Sequence, residues 1–139
     1  MLWIIFALLA AVSAAGVAIL GKIGVSNLDT TLATTVRAVV MAVFLVVVSL
    51  ALGKQTMLNT IDNKALLYIS LSGVAGALSW LFYFFALKLG PASSVAALDR
   101  LSVVFVLALA AIFLGEGISV KSGIGAFLLT VGAILMTIK

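Results

Sequence analysis

The chain has 139 residues, 65% hydrophobic and 9% charged, with eight Lys and Arg, four Asp and Glu, and neither His nor Cys. A mean hydropathy of +1.44 excludes a soluble domain, where about a quarter of residues are charged, so lipid is the expected solvent. The missing Cys excludes disulfides and thiolate metal sites, the missing His removes the commonest proton shuttle and metal ligand, and no cofactor or metal is expected. The net charge of +4 is scattered singly between apolar runs, a pattern that does not point to nucleic acid.

Five stretches reach the roughly 20 apolar residues that a helix needs to cross a hydrocarbon core about 30 Å thick. They cover residues 3–20, 31–52, 65–87, 92–114 and 120–138. The runs are continuously apolar rather than alternating, which predicts an all-α integral membrane protein and not a barrel. The first stretch has no Lys or Arg before it, so it is expected to remain as a span rather than be cleaved as a signal peptide. Short polar segments separate the spans: GKIGVSNLDT, GKQTMLNTIDNK, KLGPA and GEGIS. Pro91, the single proline, is expected at the first position of the fourth helix, where a missing N–H costs nothing. Glu116 in GEGIS is expected to complement the positive end of the last helix. Residues 1–139 read as one transmembrane unit with no separate soluble domain.

Five spans put the termini on opposite faces. Lys54, Lys64 and Lys121 fall on one side, and Lys22, Lys88 and Lys139 on the other, a tie in the positive-inside count. Including the intramembrane Arg37 and Arg100 favours a cytoplasmic C-terminal side by five to three. Such a balanced chain is expected to insert in both orientations, a dual topology, and to pair with its inverted twin.

Three charges stand inside the spans. A charge at mid-helix costs at least about 2.5–3.5 kcal/mol on insertion scales. At 1.5 Å per residue, Arg37 lies about 9 Å into the second span and Asp99 about 11 Å into the fourth, which starts from the same side, with Arg100 next to it. Trp80 lies about 11 Å before the end of the third span, and Tyr83 and Phe84 share its helix face. With Lys22 at the mouth, the candidate solute-binding residues are Lys22, Arg37, Trp80, Tyr83, Asp99 and Arg100. The competing interpretation is structural. Arg37 and Asp99 would neutralise each other while Arg100 snorkels to the surface, and the aromatics would be packing or an interfacial belt. Neighbouring residues on a helix are about 100° apart, so Asp99 and Arg100 do not both face one partner squarely. Ser72-x-x-x-Gly76, Gly73-x-x-x-Ala77, Ala11-x-x-x-Ala15 and the Gly125/Gly132 stripe are expected to let helices approach closely.

The segment SWLFYFFALKLGPASSVAALDRLSVVFVLALAAIFLGEGISVKSGIGAFLL resembles the second half of an EamA-type unit of the drug/metabolite transporter superfamily. LGPAS, DRLSVV and FLGE carry the likeness. Upstream, GKIGV and LATTVRAVV are similar to single-unit, five-span bacterial and archaeal members, so the resemblance covers essentially the whole chain. It implies one half of a ten-helix architecture in which two inverted units export small metabolites from a central cavity. A one-unit chain would complete that cavity with an inverted second copy, following the general plan of a site at the repeat interface. The resemblance singles out Lys22, Arg37, Asp99, Arg100 and Glu116. Phe85 stands where the family often has a basic residue, which removes that position as a solute contact.

The expected function is secondary transport of a small polar metabolite across the inner or plasma membrane, by a multi-pass protein acting as an antiparallel homodimer. The excess of cations near the expected cavity favours an anionic or zwitterionic solute. Four-helix drug–proton exporters of the superfamily use an acid in the first span, and none stands there; Asp99 is the acid placed to substitute. The alternative is a non-transporting membrane subunit or assembly partner. An enzyme is not expected from four carboxylates, none closely paired in sequence, without His or Cys.

Overall fold

The computed structural model describes residues 2–138, the side chains at 58 and 59 excepted. The place of Lys139 in the charge count lies outside the described residues. Among the described residues the secondary structure is helical throughout, with no strand. The helices are α1 (Leu2–Gly24), α2 (Thr30–Ala51), α3 (Asn63–Leu89), α4 (Ala92–Asp99), α5 (Ser102–Leu109) and α6 (Val120–Leu135). Four stretches, Leu2–Gly24, Thr30–Ala51, Asn63–Leu89 and Ala92–Leu114, are long and apolar enough to cross a membrane. The fifth is shorter than the sequence predicts. Its helix stops at Leu135, giving about 24 Å against a core of about 30 Å, and turns follow it. Leu, Ile, Val and Phe side chains stand outward along every helix, as lipid solvation requires.

The helix ends account for most of the acids. Asp29 accepts the Leu32 amide at 2.9 Å and caps α2; Asp62 accepts the Ala65 amide at 2.8 Å and caps α3. The cap of α6 is Ser119, which accepts the Ser122 amide at 3.1 Å, and not Glu116 as expected. A hydroxyl on the residue adjoining the helix reaches that amide, whereas Glu116 stands in the turn before it. Pro91 is itself the N-cap of α4, one residue earlier than expected, with an extended ψ of 138°. The connector before α3 also differs from a plain loop, forming a 3-10 helix over Lys54–Thr60.

Two compact units divide the chain, Ile23–Lys88 and Met1–Lys22 with Leu89–Lys139. The first is a hairpin of α2 and α3. The end opposite its connector buries Val25, Thr30 and Leu87, with Phe84 beside them, and Lys88 Nζ donates to the Leu28 carbonyl at 2.7 Å. The start of α2 and the end of α3 are thereby held together.

In the second unit α6 packs against α4 and α5, and Ser94 Oγ donates to the Met136 carbonyl at 2.8 Å. The fourth span, expected as one helix, tightens at Asp99–Leu101. Arg100 N–H bonds the Ala97 carbonyl at 3.2 Å, Leu101 the Leu98 carbonyl at 3.0 Å, and Val103 the Arg100 carbonyl at 3.1 Å. These i→i−3 bonds are those of a 3-10 turn. No proline or glycine stands there, so the interruption lies in the hydrogen-bond pattern itself. The same span ends in a π-helical turn, Ala110–Leu114, stopped by Gly115 at φ 67°. A β-carbon is disfavoured in this left-handed conformation, although the surrounding space is open. Gly115→Ala is therefore expected to destabilise the protein by about 1 kcal/mol, read as a lower unfolding midpoint in detergent; an unchanged midpoint would contradict this account of the turn.

Candidate solute-binding cleft

Arg37 lies two turns into α2, and Trp80 two turns before Leu87 on α3, so the start of α2 and the end of α3, held side by side, set both at one level. The Arg37 guanidinium carbon stands over the Trp80 ring, 3.6 Å from its centroid, and 5.6 Å from that of Phe84. Tyr83 meets Trp80 edge-on at 5.4 Å and 77°, and Phe84 meets it at 6.2 Å and 64°. Three aromatic rings thus build a wall with one cation against it. Where water is excluded, such a cation–π contact is worth about 2 kcal/mol.

Stacking occupies the flat face of a guanidinium and leaves its five in-plane N–H donors at the edge. The two acids of this unit, Asp29 and Asp62, serve as helix caps. Among the described residues of the unit, no carboxylate pairs with Arg37. Within its unit the Arg37 guanidinium is organised by the Trp80 face.

Arg37 and Trp80 border a cleft of about 800 Å³ between α2 and α3. Thr34, Thr35, Met41, Ala42 and Leu45 line it from α2, and Gly73, Gly76, Ala77 and Leu81 from α3. The volume is that of a small-molecule site. Its polar groups gather at one end. Thr34 and Thr35 hydroxyls donate to the Thr30 and Thr31 carbonyls at 2.7 and 2.9 Å, and each oxygen keeps acceptor capacity. Toward Leu45 the lining is aliphatic. Within the chain, an added β-carbon at Gly73 or Gly76 meets nothing within 4 Å. The same holds for Gly125 and Gly132.

The other sequence candidates belong to the other unit. Lys22 is half-buried and donates to the Gly90 carbonyl at 2.9 Å, bracing the α4 entrance. Asp99 ends α4, Arg100 occupies the 3-10 turn, and both side chains are exposed.

The sequence matches the EamA-like transporter family over residues 1–138. The chain belongs to the EamA-like transporter family. It is similar to a Sinorhizobium sp protein named "Uncharacterized transporter in cobO 3'region", 38% identical over 136 residues, covering 98% of this chain and 96% of the relative. No solved structure matches. Family and relative both point to a multi-pass membrane transporter rather than an enzyme.

In this EamA-like chain the structure brings the sequence candidates Arg37, Trp80 and Tyr83 together, and adds Phe84 and the aliphatic part of the cleft, which were not among the candidates. The signal was present in the spacing. Thr34, Arg37, Met41 and Leu45 recur at helical intervals on α2, and Gly73, Gly76 and Trp80 on α3. Which two stripes face each other depends on helix rotation, which spacing alone does not set. Trp80→Leu keeps an apolar group but removes the ring under the guanidinium. It is expected to weaken solute binding about tenfold, measured as a substrate half-saturation value in proteoliposomes; an unchanged value would show the stacking to be incidental.

Proposed function

We propose that the protein is a secondary transporter for a small polar metabolite, anionic or zwitterionic, in the inner or plasma membrane. The observation that carries this reading is the Arg37 guanidinium, stacked on Trp80 and edging an open cleft inside a membrane span. A cation held at that depth with free edge donors offers a charge-assisted, two-pronged hydrogen-bond site for a carboxylate or related anion. Its aromatic backing holds the guanidinium plane in place before the solute arrives.

The working form is an inverted homodimer, in which two copies supply the ten helices of a complete transporter. The even distribution of lysines and the family resemblance of a one-unit chain support this arrangement. The test is counterflow in proteoliposomes, using labelled succinate and 3-phenylpropanesulfonate as anionic probes, serine as a zwitterionic probe and tetraphenylphosphonium as the cationic comparison. Exchange of at least one anionic or zwitterionic probe above protein-free vesicles is the expected result. Exchange of the cation alone, or of none of the four, would overturn the reading and favour a non-transporting membrane subunit.

A further inference from the structure

The cleft is polar at one end only. Arg37 sits at that end, and the remaining lining toward Met41 and Leu45 on α2 and toward Gly76 and Gly73 on α3 offers no charge. From Arg37 to Leu45 the apolar part runs about 12 Å, and from Trp80 to Gly73 about 10 Å. A fully hydrated metabolite such as a sugar acid would leave its hydroxyls unpaired along that length, which is costly in an apolar site. We infer that the solute is an amphipathic organic anion, with its charged head on the Arg37 edge and an apolar tail of about 10 Å laid toward Gly73. Gly76 and Gly73 then determine specificity, because their missing side chains are the space the tail occupies. This inference rests on the proposal that the Arg37 cleft is the solute site.

Two properties favour a short amphipath over a lipid acyl chain. The apolar track, about 10–12 Å, is shorter than the roughly 15 Å half-core that an acyl chain of one leaflet spans. The cleft is also open at both glycines: a β-carbon there touches nothing within 4 Å. That openness makes larger residues tolerable to the fold, so a substitution fills the cleft without displacing a neighbour.

The experiment uses the full chain in lipid nanodiscs with Trp3→Phe, which leaves Trp80 as the sole tryptophan, excited selectively at about 295 nm or above, where tyrosine does not absorb. The probes are methanesulfonate and 3-phenylpropanesulfonate, equal in charge and ionised at all working pH values. The phenylpropyl probe is expected to bind about tenfold tighter or better, the order expected for burial of an aromatic tail. Gly76→Leu, or Gly73→Leu as an independent variant, is expected to bring the two affinities within about twofold by weakening the phenylpropyl probe more than methanesulfonate. Equal affinities in the parent protein, or loss of both probes in both glycine variants, would overturn the inference. So would quenching of Trp80 by brominated acyl chains, which would place lipid in the cleft. If the glycine variants fail to fold, the two probes on the parent protein decide by themselves. Arg37→Gln separates the two levels. If it leaves both affinities intact, the site reading fails; if it abolishes both while the tail confers no advantage, the specificity inference alone fails.

Discussion

Replacing Arg37 with glutamine is expected to reduce solute affinity by about 10- to 100-fold, the range lost with a charge-assisted hydrogen-bond donor. Glutamine retains a polar amide but not the charge, the fork or the flat cation over Trp80. Arg37→Lys is the sharper variant. It keeps one positive charge and the length to reach the ring, but an ammonium is a point charge without a two-pronged edge. If the in-plane donors grip the solute, lysine restores only part of the affinity and broadens selectivity among anions. If Arg37 acts only through its field, lysine restores binding fully. A stability control matters, because Arg37 also covers an aromatic face; each variant should unfold within a few degrees of the parent before transport is compared. Counterflow half-saturation and maximal rate, taken separately, distinguish a binding loss from fewer working molecules. Wild-type transport in Arg37→Gln would sink the proposed site.

The second large effect concerns orientation. By the sequence count, the lysines of the connecting segments together with Lys139 fall three to each face, so a small bias should move the population strongly to one side. Asn27 and Ser26 lie exposed in the segment between α1 and α2, and Gln55 and Met57 lie exposed in the 3-10 helix before α3. Ser26→Lys with Asn27→Lys pulls one face to the cytoplasm, and Gln55→Lys with Met57→Lys the other. Each variant alone is expected to insert one way and to lose more than about nine-tenths of transport, since no inverted partner forms. Co-expression of the two variants should return at least about half of wild-type exchange. Full transport by a single biased variant would refute the inverted pair. Cysteine accessibility at the C-terminus of each variant, on a chain that has no native Cys, reads the orientation directly.

Lys22 and Lys88 show how loop charges acquire a second use. Both are counted as face markers from the sequence, and both are tied to backbone carbonyls, of Gly90 and Leu28. The geometry brings these cations to the connections on which their own units depend. Asp29 and Asp62 are similar, serving as helix caps whose S/T/D/N chemistry is readable one residue before an apolar run.

Composition and run length were sufficient for the helical membrane class, because continuously apolar runs of about 20 residues, without the alternation a barrel needs, satisfy their backbone in lipid as helices. They were also sufficient to place Arg37, Trp80 and Tyr83 at one depth, since rise per residue is constant along a helix. Rotation and backbone hydrogen bonding were not available from either. Only the tertiary structure put the guanidinium flat on Trp80, opened the cleft over Gly73 and Gly76, and drew Asp99–Leu101 into a 3-10 turn. The reason is physical. Helix facing is decided by how two side-chain surfaces pack. The Asp99–Leu101 turn, with no proline or glycine to announce it, is a choice between i−3 and i−4 carbonyls that leaves no mark in the residue pattern.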